Sequence, residues 1–100
     1  MIKIKDYKSI NDTKVINELM SNAIPNLKNR FKELQINVVE VNNLQKSINK
    51  ISREFNKESR IKKLQAFLLV HGSSYLNNDY SPLNIFSRDC SQILKNNFIQ

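Results

Sequence analysis

Two residues of this chain are of the types that nucleophilic catalysis uses. Cys90 is its single cysteine and His71 its single histidine; side by side they would make a thiol and its general base. Each also falls on an apolar helical stripe, where a small buried thiol and a half-buried imidazole are ordinary packing. No loop offers the donors an oxyanion would need. Ser73 and Ser74, after Gly72, read as the last turns of a helix. Gly72 is the only glycine, so a phosphate-cradling loop, which needs several, is excluded. One Cys with one His cannot supply the four ligands of a structural zinc site. The expectation is a protein without catalytic residues, metal or cofactor.

Charge is the remaining chemistry. Sixteen basic and nine acidic residues leave a net charge of +7, which favours an anionic partner: nucleic acid, an anionic lipid surface or an acidic protein face. Lys46, Lys50, Arg53 and Lys57 follow one another at spacings of four, three and four, which places them on one side of a helix. The series continues into Arg60, Lys62 and Lys63, the densest basic region. The plain alternative is a solvated face, softened by Glu54 four residues after Lys50. A DNA-reading helix-turn-helix fits poorly. Its second helix would offer Asn84, Arg88 and Lys95 to the duplex with Asp89 opposing them, after a turn of about five residues where the motif has three or four. Nucleic acid stays open as a partner class.

The elements that must position these residues are helical. Leu27, Leu34, Val41, Ile48 and Phe55 recur every seven residues, with Phe31, Val38, Leu44 and Ile51 filling the intervening turns. This is the seam of a helix that buries one stripe. Asn11 or Asp12 opens an earlier helix carrying Val15, Ile16, Leu19, Met20 and Ala23, and Pro25 is expected to end it. The seam then predicts one long second helix, with a bend or a split near Asn42–Asn43 as the alternative. Glu58 or Ser59 opens a third helix, on which Ile61, Leu64, Leu68, His71 and Tyr75 form a stripe widened by Phe67, Leu69 and Val70. It closes at Asn77-Asn78-Asp79. Ser81-Pro82 starts a fourth, with Leu83, Phe86, Cys90, Ile93 and Leu94 on one face. The fold class is thus all-α: an antiparallel four-helix bundle with a long second helix, forming one domain over residues 1–100. Leu34 and Leu68 are expected in its core.

A lone cysteine suggests no oxidising compartment. Lys3, Lys5 and Lys8 precede no apolar block, and the longest apolar run, Ala66 to Val70, is far short of a membrane span. A cytoplasmic location is expected, with the inner membrane face within reach of its charge.

Three stretches of the C-terminal half resemble the pediocin-like (class IIa) bacteriocin immunity proteins: Leu44-Gln45-Lys46-Ser47-Ile48-Asn49-Lys50-Ile51; Arg60-Ile61-Lys62-Lys63-Leu64-Gln65-Ala66-Phe67-Leu68; and Ser74-Tyr75-Leu76 with Ser81-Pro82-Leu83. The resemblance implies a cytoplasmic four-helix bundle from a Gram-positive bacterium. Such a bundle protects its producer by binding the mannose-transport membrane receptor once bacteriocin has engaged it, so that no pore forms. Two features depart from that pattern. The expected second helix is longer than the family's, and the chain reaches Gln100 soon after helix four, where many members carry a tail that selects the bacteriocin. Selectivity is then expected on helices three and four. Tyr75, Tyr80, Arg88, Lys95 and Phe98 are the candidate partner-binding residues there, beside Lys46, Lys50, Arg53 and Lys57 on helix two.

Overall fold

The computed structural model describes residues 5–73 and 81–99. Its described residues form an all-α helical bundle. A 3-10 turn at Tyr7–Ser9 leads to Ile10, which is buried. The first rod then opens where Asn11 accepts the Lys14 N–H at 3.1 Å, an oxygen side chain satisfying one of the helix's orphan donors.

That rod does not end before Pro25. It comprises α1 (Asp12–Glu18), a π turn (Leu19–Ala23) and α2 (Ile24–Glu33), with helical backbone angles at both junctions. Proline lacks an N–H and its ring crowds the preceding carbonyls. Just before it the ladder has widened, with the Ile24 N–H reaching back to the Leu19 carbonyl. The widened π register gives the ring room, so the helix passes through the proline.

The expected long second helix is instead two helices. The chain turns at residues 34–38, between α2 and α3 (Val39–Ser52). Gln35 stands in the left-handed region at φ 58°. Its N–H donates to the Lys32 carbonyl at 3.0 Å, and the Ile36 N–H donates to Phe31 at 2.8 Å. This pair of bonds is the Schellman closure, usually built on glycine. Asn37 then accepts the Val39 N–H at 3.0 Å, starting α3. The seam runs through the turn because Leu27 and Phe31 of α2 and Val41 and Ile48 of α3 enter the same core. Leu34 and Phe55, expected in that seam, are 43% and 99% exposed because each sits in a turn beyond a helix end.

A left-handed residue with a Cβ costs about 1–2 kcal/mol, and glycine gives back part of the gain through unfolded-chain entropy. Gln35→Gly is therefore expected to stabilise the protein by about 0.5–1 kcal/mol, raising its melting temperature by a few degrees in calorimetry. No gain in Tm would mean that Gln35 does not occupy this conformation.

α4 (Lys57–Ser73) begins one residue earlier than the expected Glu58, because Asn56 accepts the Ser59 N–H at 2.9 Å and caps it. It buries Ile61, Leu64, Phe67 and Leu68. Leu69 and Val70, expected to widen its buried stripe, are 50% and 64% exposed. α5 (Asn84–Phe98) begins two residues later than the Ser81-Pro82 start signal implied, with Leu83 at the cap position; the Ser81 hydroxyl accepts the Leu83 N–H at 3.1 Å in the turn before it. The expected turn at Asn77-Asn78-Asp79 lies outside the described residues.

α4 and α5 make the most extensive helix pair. A Cβ on Gly72 would sit 3.3 Å from the Ser91 backbone, so the one glycine stands where the two helices approach most tightly. Leu68 and Leu69 share a groove with Leu94 and Lys95, one turn further along each helix in opposite senses. α5 is thus antiparallel to α4. It is also antiparallel to the first rod, since Asn97 reaches Glu18 while Asp89 shares a cleft with Asn26.

Candidate functional site

α3 buries only two of its residues, Val41 and Ile48. At about 100° per residue, Lys46, Lys50 and Arg53 point to the side opposite that pair, and all three are exposed. Lys57, the first residue of α4, is exposed just beyond the turn. Lys46, Lys50 and Arg53 thus share one side of α3, whereas Lys57, expected on the same helix, belongs to the next one because α3 ends at Ser52. The ridge formed by the three has no acidic group on it, since Glu40, the only carboxylate of α3, stands to one side.

Ion pairing divides the seven-residue basic region in two. Arg60 is structural: its Nε lies 2.5 Å from the nearly buried Asp12, and its Nη1 donates to the Glu54 carbonyl at 2.8 Å. Lys62 pairs with Glu58 at 3.1 Å, and Lys63 with Glu54 at 2.6 Å. The Lys63 ammonium holds the Glu54 carboxyl below its ordinary pKa. The helical pair expected between Lys50 and Glu54 is absent, because α3 ends at Ser52 and Glu54 leaves its surface. Among the described residues, Lys46, Lys50, Arg53 and Lys57 have no carboxylate within 4.0 Å. Three cations are neutralised locally and four are not. Of these pairs, Glu58–Lys62 has helical spacing, whereas periodicity could not reveal the structural role of Arg60, because Asp12 lies 48 residues from it.

The remaining candidates divide differently. Arg88 and Lys95 are exposed two turns apart on α5, and Lys95 lines the α4–α5 groove with Leu69 and Ser73. No described contact joins them to the α3 ridge. Phe98 is not a surface residue; it is fully buried. It extends the Phe86, Cys90, Leu94 stripe by four more residues, a signal that periodicity contains. The Phe98 carbonyl also accepts the Lys5 N–H at 2.7 Å, tying the two ends of the described chain together. Tyr75 and Tyr80 lie outside the described residues. Sequence reasoning placed Phe55 in the core, yet it stands between Arg53 and Lys57 almost wholly in solvent.

No described contact joins His71 to Cys90. His71 packs its ring 4.3 Å from Phe67 and 5.9 Å from Phe86 by centroids. It lines a groove of about 300 Å³ with Glu40, Leu44 and Leu83. Cys90 is fully buried, and burial, with the neighbouring Asp89 charge, pushes its thiol up to about 12. A reactive thiolate requires the opposite shift. Asp89 itself has one buried carboxylate oxygen without a donor, and burial raises its pKa against the opposing effect of Arg88.

Burial lowers the pKa of His71 below its ordinary 6.5. The unfolded chain therefore takes up a proton at this residue before the folded one does. Stability is full above about pH 7 and declines as pH falls through 6.5 toward the lower folded value. His71→Leu is expected to remove that part of the decline. Melting curves of both proteins at pH 7.5 and 5.5 check this, and equal losses would exclude His71 as the source.

Compared with family models, with curated proteins and with solved structures, the chain finds no match in any of the three.

Proposed function

We propose that this chain is a bacteriocin immunity protein of the pediocin-like kind, protecting a Gram-positive producer by binding rather than by catalysis. The observation that carries the reading is the α3 ridge. Lys46, Lys50 and Arg53 stand clear of any described carboxylate along a helix braced by the bundle behind it, with Lys57 unpaired at the start of the next, a surface for an anionic partner. The resembling stretches fall on the elements that build this half: Leu44–Ile51 on α3, Arg60–Leu68 on α4 and Ser81-Pro82-Leu83 at the entry to α5. In this reading the partner is the mannose-transport receptor with bacteriocin bound. It is met from the cytoplasmic side, and the ridge, Arg88 and Lys95 supply contacts.

Protection is the direct test. A sensitive Gram-positive strain expressing the chain is expected to survive one or a few members of a panel of pediocin-like bacteriocins. A variant in which Lys46, Lys50 and Arg53 are all Ala should fold and lose that survival. Confirmed expression with no survival against any member would reject the proposal. The alternative, a small basic phage or plasmid regulator that binds nucleic acid or a protein partner, would then take its place, its nucleic-acid arm tested by the steep salt dependence that phosphate neutralisation produces.

A further inference from the structure

The α3 ridge carries an apolar group at each end as well as its cations. Val39 opens the helix on the same side as Lys46 and Lys50 and is 54% exposed. In the turn before it, Leu34 and Ile36 are 43% and 39% exposed. At the far end, Phe55 is 99% exposed, two residues after Arg53. With a rise of about 1.5 Å per residue, Val39 and Arg53 are roughly 21 Å apart. The surface is therefore a cationic line with apolar ends, presented on the outside of the bundle.

We propose that α3 lies along an anionic lipid bilayer, with Lys46, Lys50 and Arg53 against the headgroups and the side chains of Val39 and Phe55 entering the interface. The inference names the lipid itself as a partner, and it is separate from the protective role because it needs neither bacteriocin nor receptor. Two observations select a bilayer from the anionic partners. Apolar groups some 20 Å apart on one line suit an extended surface with an apolar layer beneath its charges, as interfacial helices use. A nucleic-acid backbone would meet the cations but offer nothing to Val39 or Phe55. Lys62 and Lys63, next along the chain, are neutralised locally, so in this region the unpaired charge is concentrated on the ridge.

The full chain has no tryptophan, and Phe55 makes almost no contact to lose. Phe55→Trp therefore supplies a reporter at the proposed point of insertion. The test is co-sedimentation and fluorescence with vesicles of phosphatidylcholine alone or with about one-third phosphatidylglycerol, at low and physiological salt. Expected are binding to the anionic vesicles only, a loss of affinity with salt, and a blue-shifted Phe55→Trp emission on binding. One cation at such a surface is worth about fivefold in affinity, so Lys50→Ala should weaken binding by about that factor. Lys14→Ala, which removes the same charge from α1, should change it little. Phe55→Ser should cost roughly tenfold. Equal binding to both vesicle types, an unshifted emission, or equal effects of Lys50→Ala and Lys14→Ala would each overturn the proposal. So would a preference for single-stranded RNA over anionic vesicles. Circular dichroism of each variant confirms that the helices are kept.

Discussion

Leu68→Asp is expected to abolish the cooperative fold. Leu68 is fully buried on α4, within the cluster that includes Leu64, Phe67 and Phe86 and beside the groove where α4 meets α5. Lys95, the cation that shares this groove, is exposed, and a carboxylate buried at the Leu68 position costs several kcal/mol even after its pKa adjusts. Lost apolar burial adds about 2–5 kcal/mol. Together these match the total stability of an ordinary domain, about 5–15 kcal/mol. Far-ultraviolet circular dichroism should show most of the helical signal gone at 25 °C, or a broad, non-cooperative melt. Leu34→Asp makes the contrast. The heptad assigns Leu34 to the same core, but the residue is 43% exposed beyond the end of α2. Its substitution should leave the melt cooperative and cost about 0.5 kcal/mol or less, as surface changes do. A collapse of both variants, or of neither, would contradict the placement of the α2–α3 turn.

The second large effect is expected from Arg60→Ala. Arg60 joins three parts of the chain: Asp12 at the start of α1, the Glu54 carbonyl in the α3–α4 turn, and α4 itself. The Asp12 side chain is 10% exposed and that of Arg60 is 20% exposed, so the pair is more buried than a surface bridge. Removing one partner of a buried pair costs about 3–5 kcal/mol. The lower end is expected here, because Asp12 occupies the first turn of a helix, where the peptide dipoles return about 0.3–1 kcal/mol to a carboxylate. A loss of about 3 kcal/mol corresponds to a fall in Tm of roughly 10–20 °C for a domain of this size. Asp12→Asn together with Arg60→Ala should recover part of it, since no bare charge then remains. A fall of only a degree or two in the single variant would show that the pair is solvated and the turn held by other contacts.

Which residues could be helical and which faces could be apolar follows from the order of side chains along the chain. The stripes through Val15–Leu19–Ala23, Val41–Ile48, Ile61–Leu64–Leu68 and Phe86–Cys90–Ile93 are all buried as their spacing requires, because a helix's period is a local property of its backbone. The basic spacing was legible for the same reason: Lys46, Lys50 and Arg53 share a side wherever α3 is placed. Where the rods begin and end depends on how they pack against one another. Pro25 passes through because a π turn precedes it, and the α2–α3 turn forms at a glutamine, which signals no left-handed residue in sequence. Both outcomes depend on a core that accepts the two segments at once. Pairing was likewise invisible. Asp12 and Arg60 meet only through the packing of α1 against α4, and Glu54 leaves Lys50 for Lys63 only because α3 stops short of it. Those two contacts separate the structural cations from the free ones. Coulomb attraction follows distance in space, and the sequence records distance only along the chain.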